Sequence, residues 1–329
     1  MSSTQQWFKP DIDKKRLKQL MRRDNKSALI QFGLFLALLI LLAAVVLLTW
    51  STSFWWLAYL LYCAVFAFAT SAVHELCHGS PFRTRWLNEV SLFITGWMMQ
   101  MEPVAARWGH AGHHTYTHFN QGDSELALQN PLTRTSFLLQ LSGVGAMHRY
   151  YAEILMLCSG KQVARIKGII PDQEMRMAQR NALLMTAGYL AVIAGSRLSA
   201  SWMPILLLLL PRIIGGPVIG LFRVTQHAGL AMDVQDHRLT TRTFYTNRLF
   251  EFLYFNMNYH VEHHMFPLVP FYNLKKLHLE IKDQLPEPVQ GLHRVIGEIL
   301  QVIERQKSEP DYHLNKMSEM KHNTGASLT

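Results

Sequence analysis

Two uninterrupted apolar runs near the start of the chain set its class. "ALIQFGLFLALLILLAAVVLLTW" (28–50) and "SFWWLAYLLYCAVFAFATSAV" (53–73) contain no charged residue. A helix that crosses a bilayer needs about 20 apolar residues, so each run is long enough. The short link between them makes a helical hairpin, and Trp50, Trp55 and Trp56 suit an aromatic belt at the far interface. Two further runs, 182–198 and 202–222, make a second hairpin around Arg197 to Ser201. Pro211, Gly215, Gly216 and Pro217 are expected to kink or loosen the last helix, which a membrane tolerates when neighbours re-satisfy the backbone. The pattern predicts an all-α integral membrane protein with four transmembrane helices, at about 28–50, 53–73, 180–198 and 202–222.

The stretches between the runs are mixed. "WLNEVSLFITGWMMQM" (86–101) is apolar but too short to span, and is expected to lie at the membrane or dip into it. Its "WMMQM" end suits either a substrate tunnel or membrane packing, since methionine is an adaptable apolar filler. Residues 135–160 alternate enough to lie in the interface. From about 306 the chain is polar and is expected to be disordered. The resulting organisation is a basic arm (1–27), a membrane domain (28–285) and a C-terminal helix with a disordered tail (286–329).

Composition sharpens this reading. Apolar residues make up 49% of the chain and charged residues 17%, where a soluble domain carries about 25%. Residues 1–27 hold eight Lys/Arg and the two following apolar runs none. Ten more lie in 74–180 and twelve after 222, while the two short outer loops carry at most one. The positive-inside rule then places both termini and the long central segment in the cytoplasm. The net charge of +9 is accounted for by these flanks and calls for no nucleic acid. Cys63, Cys77 and Cys158 have no paired spacing and read as buried thiols. The first apolar run lacks a cleavage site after a short core and reads as a retained anchor. A bacterial inner membrane is the expected location, with an endoplasmic reticulum membrane as the alternative.

The candidate chemistry lies in the sixteen histidines. "HELCHG" (74–79) matches the H-E-x-x-H pattern of zinc peptidases. Two other groups share its logic: His110, His113 and His114 in "HAGHH", and His260, His263 and His264 in "HVEHH". His227 stands alone in "QHAGL". Positions i, i+3 and i+4 share a helix face, so each group presents its imidazoles in one direction. Nine imidazoles are too many for one zinc and suit two metals at four or five ligands each. Imidazole binds zinc, copper, iron or nickel, so the ligand type alone does not choose. A peptidase would also need an acidic ligand on another span, and none is present in 180–222; Glu75 then reads as a packing or orienting neighbour. A metal transporter would need ionisable residues in mid-membrane, where only Arg212 occurs.

The three boxes, with "HHTYTHFNQGDSE" after the second and "NYHVEHHMFPLVPFYNLKKLH" around the third, resemble those of the membrane fatty acid desaturase and hydroxylase superfamily. The likeness covers about 27–285, with Met265 where the family usually has Leu. It implies a cytoplasmic helical cap over the four spans, holding a non-haem di-iron centre. The implied ligands are His74, His78, His110, His113, His114, His227, His260, His263 and His264. It also implies O2 as co-substrate, two external electrons and attack on an unactivated C–H bond. The expected product is a desaturated fatty-acyl group, with hydroxylation of a lipid, alkane, carotenoid or small amine as the alternative. A separate donor of ferredoxin, rubredoxin or cytochrome type, with its reductase, is expected to dock near Lys275 and Lys276. Imidazole ligands usually donate their second N–H to a carboxylate or carbonyl; Asp123, Glu262, Asp233 and Asp236, together with His118, are the expected partners around the ligands. Arg223, one turn before His227, replaces a polar residue of some relatives. His148, His237, His278, His293, His313 and His322 are expected to be solvated or capping.

Overall fold

The first apolar run forms a single helix, Asn25–Thr49, capped by Asp24, whose carboxylate accepts from the backbone of Lys26 and Ser27. At 1.5 Å per residue it is about 37 Å long, longer than the roughly 30 Å hydrocarbon layer. Leu29, Leu34, Ile40 and Leu48 stand exposed along it, an apolar surface suited to lipid. The second run is interrupted at Phe68 into Trp55–Ala67 and Ala69–Cys77, yet passes as one 23-residue span. Among the described residues these two helices alone are long and apolar enough to cross a membrane. The computed structural model of the chain describes residues 7–126, 128–161 and 167–317.

The other two predicted spans take different forms. The third lies within a longer helix, Asp172–Leu198, that begins with a polar turn. The fourth is broken into Met203–Leu208, Pro211–Ile214 and Gly216–His227. Pro211 has no N–H for the carbonyl four residues earlier, that of Leu207. The Tyr62 hydroxyl donates to that carbonyl at 2.7 Å, and the Tyr59 hydroxyl donates to Leu206 O at 2.8 Å. Side chains of the second span thus re-satisfy the broken helix, as a membrane requires. Gly215 permits the close approach: a Cβ there would lie 2.0 Å from Cys63 O.

Two compact units divide the chain, each assembled from separated stretches. One comprises Asp24–Ala111 and Leu139–Leu221; the other comprises residues up to Arg23, Gly112–Leu138 and Phe222 onward. The first, the membrane unit, contains the first three predicted spans and the fourth up to Leu221. The Arg85–Met99 helix packs in it against Asp172–Leu198, with Trp97 stacked on Tyr189 at 5.2 Å and its indole N–H donating to Met185 O. The "WMMQM" end therefore packs between helices, with Met99 fully buried.

The second, histidine-rich unit is built on the helices Arg248–Leu253, His260–Met265, Phe271–Ile281 and Leu292–Arg305, with two short parallel strands, Phe244–Tyr245 and Val289–Gln290. Val295, Ile299, Val302 and Ile303 form the buried face of the last helix, at the spacing of one helical stripe. The start of the chain is tied in here. Arg16 pairs with Glu280 at 2.7 Å, and Asn273 donates to Leu20 O at 2.9 Å. The polar stretch after 306, expected to be disordered, makes several specific contacts up to residue 317. Gln306 is buried and donates to Tyr312 O, and Leu314 N donates to Gly229 O. An ion pair, Lys316 to Glu298, adds to these contacts in a segment whose composition reads as solvated. Residues 318–329, with His322, lie outside the described residues.

Candidate metal centre

Box two lies near the end of the Pro103–Thr115 helix, box three on His260–Met265, and His227 at the last position of Gly216–His227. In the histidine-rich unit these elements bring four imidazoles together. Ligand atoms of His113, His227, His260 and His264 lie within 4.8 Å of one another. His260 Nε2 is 3.1 Å from both His227 Nε2 and His264 Nε2.

The opposite ring nitrogens of His113, His227 and His264 are held. His227 Nδ1–H donates to Thr240 O at 2.8 Å. The Thr117 hydroxyl gives its proton to His113 O at 2.9 Å, so its oxygen accepts from His264 Nδ1 at 3.1 Å. His113 Nδ1 meets both oxygens of Asp123, at 2.9 and 3.0 Å. Protonation at Nδ1 leaves the Nε2 lone pairs of His227 and His264 directed into the cluster. Burial holds both imidazoles well below their ordinary range, and the neighbouring histidines add to it. They are therefore neutral at pH 7, the form that binds metal. Burial also opposes charge on His113, but the hydrogen bond and negative charge of Asp123 outweigh it and raise its pKa.

These residues fit a metal. Two nitrogens at right angles around an ion, each about 2.1 Å from it, lie about 3.0 Å apart, close to the separations found. Lone pairs aimed at one another at this distance repel unless a cation or a proton lies between them, and the lowered basicity disfavours the proton.

In the membrane unit a second cluster forms. His74 and His78 lie at the end of Ala69–Cys77, and His110 on Pro103–Thr115. His78 Nε2 and His110 Nε2 are 3.0 Å apart, and the His74 and His110 rings 4.0 Å. His114 and His263 belong to the histidine-rich unit, their rings 4.9 Å apart.

Nine imidazoles at the three boxes and at His227, four in one cluster, three in another and His114 beside His263, match one group of known proteins. The family model described as fatty acid desaturase matches residues 54–295. The chain belongs to the fatty acid desaturase family. All nine histidines fall inside the matched region. The human sphingolipid delta(4)-desaturase/C4-monooxygenase DES2 is 26% identical over 239 residues, 66% of this chain and 64% of its own length. The chain thus spans less than two thirds of the length of that curated relative. With its two apolar crossing helices, this desaturase family member is a membrane protein.

The acids expected around the ligands divide into two kinds in this family member. Asp123, fully buried, accepts from His113 and from the backbone N–H of His118 and Glu125. Glu262, Asp233 and Asp236 are tied elsewhere. Glu262 accepts from the Thr243 hydroxyl at 2.6 Å and pairs with His278 at 2.5 Å. Two residues after His260 on a helix is about 200° round the axis, so its side chain leaves the face that carries the ligands. Asp233 accepts from Asn120 and fixes the loop after His118. Asp236 caps the short His237–Thr240 helix and binds Arg238 at 2.7 Å. His118 is buried, its Nδ1 2.7 Å from Ala231 O and its ring 5.6 Å from that of His227. Glu75 is buried and accepts from Ser80 at 2.8 Å. Lys275 pairs with Glu251 at 2.9 Å.

Two histidines expected to be solvated or capping are buried. His278 joins Glu262 to the Tyr245 hydroxyl, 2.8 Å away. The His237 ring lies 5.3 Å from that of His264 and is stacked by Trp7 at 4.2 Å. Beside it Arg238 lies 3.3 Å over the Phe8 ring. Sequence reasoning missed Thr117, Thr240, His237 and Trp7 as supports of the cluster. Thr117 had a signal, a hydroxyl one turn beyond box two. Thr240 acts through its carbonyl, which every residue has, so nothing marked it.

Proposed function

We propose that this chain is an O2-dependent di-iron oxidoreductase that attacks an unactivated C–H bond of a lipid acyl chain. Desaturation is the favoured outcome. The observation that carries the reading is the closely spaced four-imidazole set in a chain of the fatty acid desaturase family, with burial holding His227 and His264 neutral. His113, His227, His260 and His264 hold one iron; His74, His78 and His110, with His114 and His263, are the remaining ligands of a two-iron complement. When bound, the two irons and O2 supply the oxidising strength that hydrogen removal from such a carbon needs.

The chain's own residues do the rest. Asp123 and the Thr240 carbonyl fix the His113 and His227 rings, and Thr117 fixes His264, so the ligands need no reorganisation on binding metal. Burial keeps water from these imidazoles, which limits side reactions. The four predicted spans provide an apolar environment for an acyl chain. Both termini and the histidine boxes face the cytoplasm, where the basic flanks place them, in a bacterial inner membrane. A basic arm (1–27), a membrane domain (28–285) and a C-terminal segment (286–329) remain the proposed organisation. Electrons come from a separate ferredoxin, rubredoxin or cytochrome with its reductase. Of the two basic residues expected to receive it, Lys276 is the less neutralised, since Lys275 is engaged by Glu251.

Hydroxylation is the second reading, favoured by the human relative, which is named as both a desaturase and a C4-monooxygenase. Expression in a host with a compatible reductase, followed by lipid profiling under labelled O2, separates the two. A new unsaturated lipid supports desaturation. A product that carries one labelled oxygen atom and no new double bond replaces it with monooxygenation. No O2-dependent lipid product in iron-replete protein with active reductase removes both.

A further inference from the structure

A cavity of about 360 Å³ opens in the membrane unit, away from the histidines. Its walls are the Arg85–Met99 helix, the start of Pro103–Thr115 and the start of Asp172–Leu198. The floor is apolar, formed by Phe93, Val104 and Met177. The rim carries three guanidinium groups, Arg85, Arg107 and Arg180.

The acids in the same walls are engaged. Glu89 binds Arg107 at 2.8 Å, and Glu174 accepts from the Trp108 indole at 3.0 Å. Arg85 and Arg180 are exposed and form no ion pair among the described residues. The first turn of Pro103–Thr115 is not open to an anion either. The Glu102 carboxyl already accepts from Val104 N and Ala105 N, and from Asn181. Any anion here is held by side chains, not by a helix end.

The surroundings indicate what kind of anion. Trp86, Val90 and Ile94 stand 62%, 47% and 54% exposed on Arg85–Met99, at the spacing of one helix face. Such a stripe beside basic residues belongs at a lipid surface. We propose that this cavity binds the phosphate headgroup of an anionic membrane lipid, the phosphate between Arg85 and Arg180 and the first carbons of the lipid over Phe93, Val104 and Met177. Guanidinium forks match phosphate oxygens and are weakly hydrated. A zwitterionic headgroup brings its own cation to a rim that already has a positive excess. A free phosphate gains nothing from the apolar floor. The proposal rests on the membrane reading of the chain, and is independent of the reaction at the histidines.

Native mass spectrometry of the full-length, detergent-solubilised protein tests it, titrated with phosphatidic acid or with phosphatidylcholine. The wild type is expected to bind one phosphatidic acid about tenfold more tightly than phosphatidylcholine. Arg85→Gln with Arg180→Gln should erase the preference while leaving iron content and thermal midpoint unchanged. If that pair does not fold, each single substitution should lose part of the preference. Three results overturn the proposal: no preference in the wild type, a preference retained in the folded variants, or displacement by inorganic phosphate at the concentration at which phosphatidic acid binds. Turnover of the same preparations reports separately on the oxidase reading. A headgroup preference without turnover leaves the site standing, and turnover without the preference removes the site alone.

Discussion

The two histidine clusters are built on different principles. His113, His227, His260 and His264 come from three helices, and three of them are 5% exposed or less. A buried carboxylate, a hydroxyl and a carbonyl fix the outer nitrogens of His113, His264 and His227. His74, His78 and His110 come from two helices of the membrane unit, and two of the three rings are only half-buried. The first cluster is a product of the folding of its unit; its four ligands exist together only when that unit is formed. In the second, His74 and His78 share a single helix face at i and i+4. Three imidazoles leave coordination positions for other donors, as open metal sites do.

The largest test of this contrast is ligand removal. His264→Ala should abolish turnover, reduce iron to about half, and lower the thermal midpoint, because metal binding to the tetrad is part of that unit's folding free energy. His78→Ala should also abolish turnover but keep one iron and most of the midpoint. Iron analysis beside calorimetry checks both; loss of all iron from His78→Ala would break the distinction between the clusters.

Support around the tetrad comes next. Asp123→Asn keeps the shape but removes the charge that favours the His113 N–H, and should cost about 10- to 100-fold in turnover or iron affinity. Glu262→Gln, whose carboxylate pairs with His278 instead, should act mainly on stability. Equal losses of iron affinity in the two variants would show that distance from the ligand face does not matter. Trp7→Ala uncovers His237 beside His264 and should speed iron loss to a chelator severalfold, with no change expected from His148→Ala, an exposed residue.

The smallest effect is on pH, and the two units should respond with opposite sign. His227 and His264 have pKa values held down by burial. The unfolded chain takes up protons below about 6.5, which the folded apo-protein refuses, so stability from this unit is present above that pH and lost as pH falls. Burial pushes the Glu102 carboxyl up to about 7. Its contribution is present below the ordinary carboxylate range near 4.5 and is lost as pH rises through about 7. Glu102→Gln should therefore raise the apo midpoint at pH 8 relative to wild type and change it little at pH 5. A gain of equal size at both values would show that Glu102 does not titrate in this range.

Much of this protein is written in local patterns. The first hairpin, the break at Pro211 to Pro217 and the three histidine boxes each depend on residues close together in the chain, so periodicity and spacing report them. The i, i+3, i+4 rule even disqualifies Glu262 as a partner of His260, once its angle round the helix is counted. Chain composition was a poor guide where a few specific contacts dominate: Gln306, Leu314 and Lys316 tie down a polar stretch that reads as solvated, and Trp7 brings the start of a basic arm onto His237.

By itself the sequence determined the family, the apolar hairpin and the nine imidazoles, because these rest on residue identity and short spacing. Only the tertiary structure decided which imidazoles share a cluster and which group holds each ring. His113, His227 and His260 are separated by up to 147 positions, and no periodic pattern carries information across such loops. It also decided that Asp123 reaches an imidazole while Asp233 and Asp236 do not. A carboxylate's partner depends on direction and burial at the scale of 3 Å, and those are set by how distant helices pack.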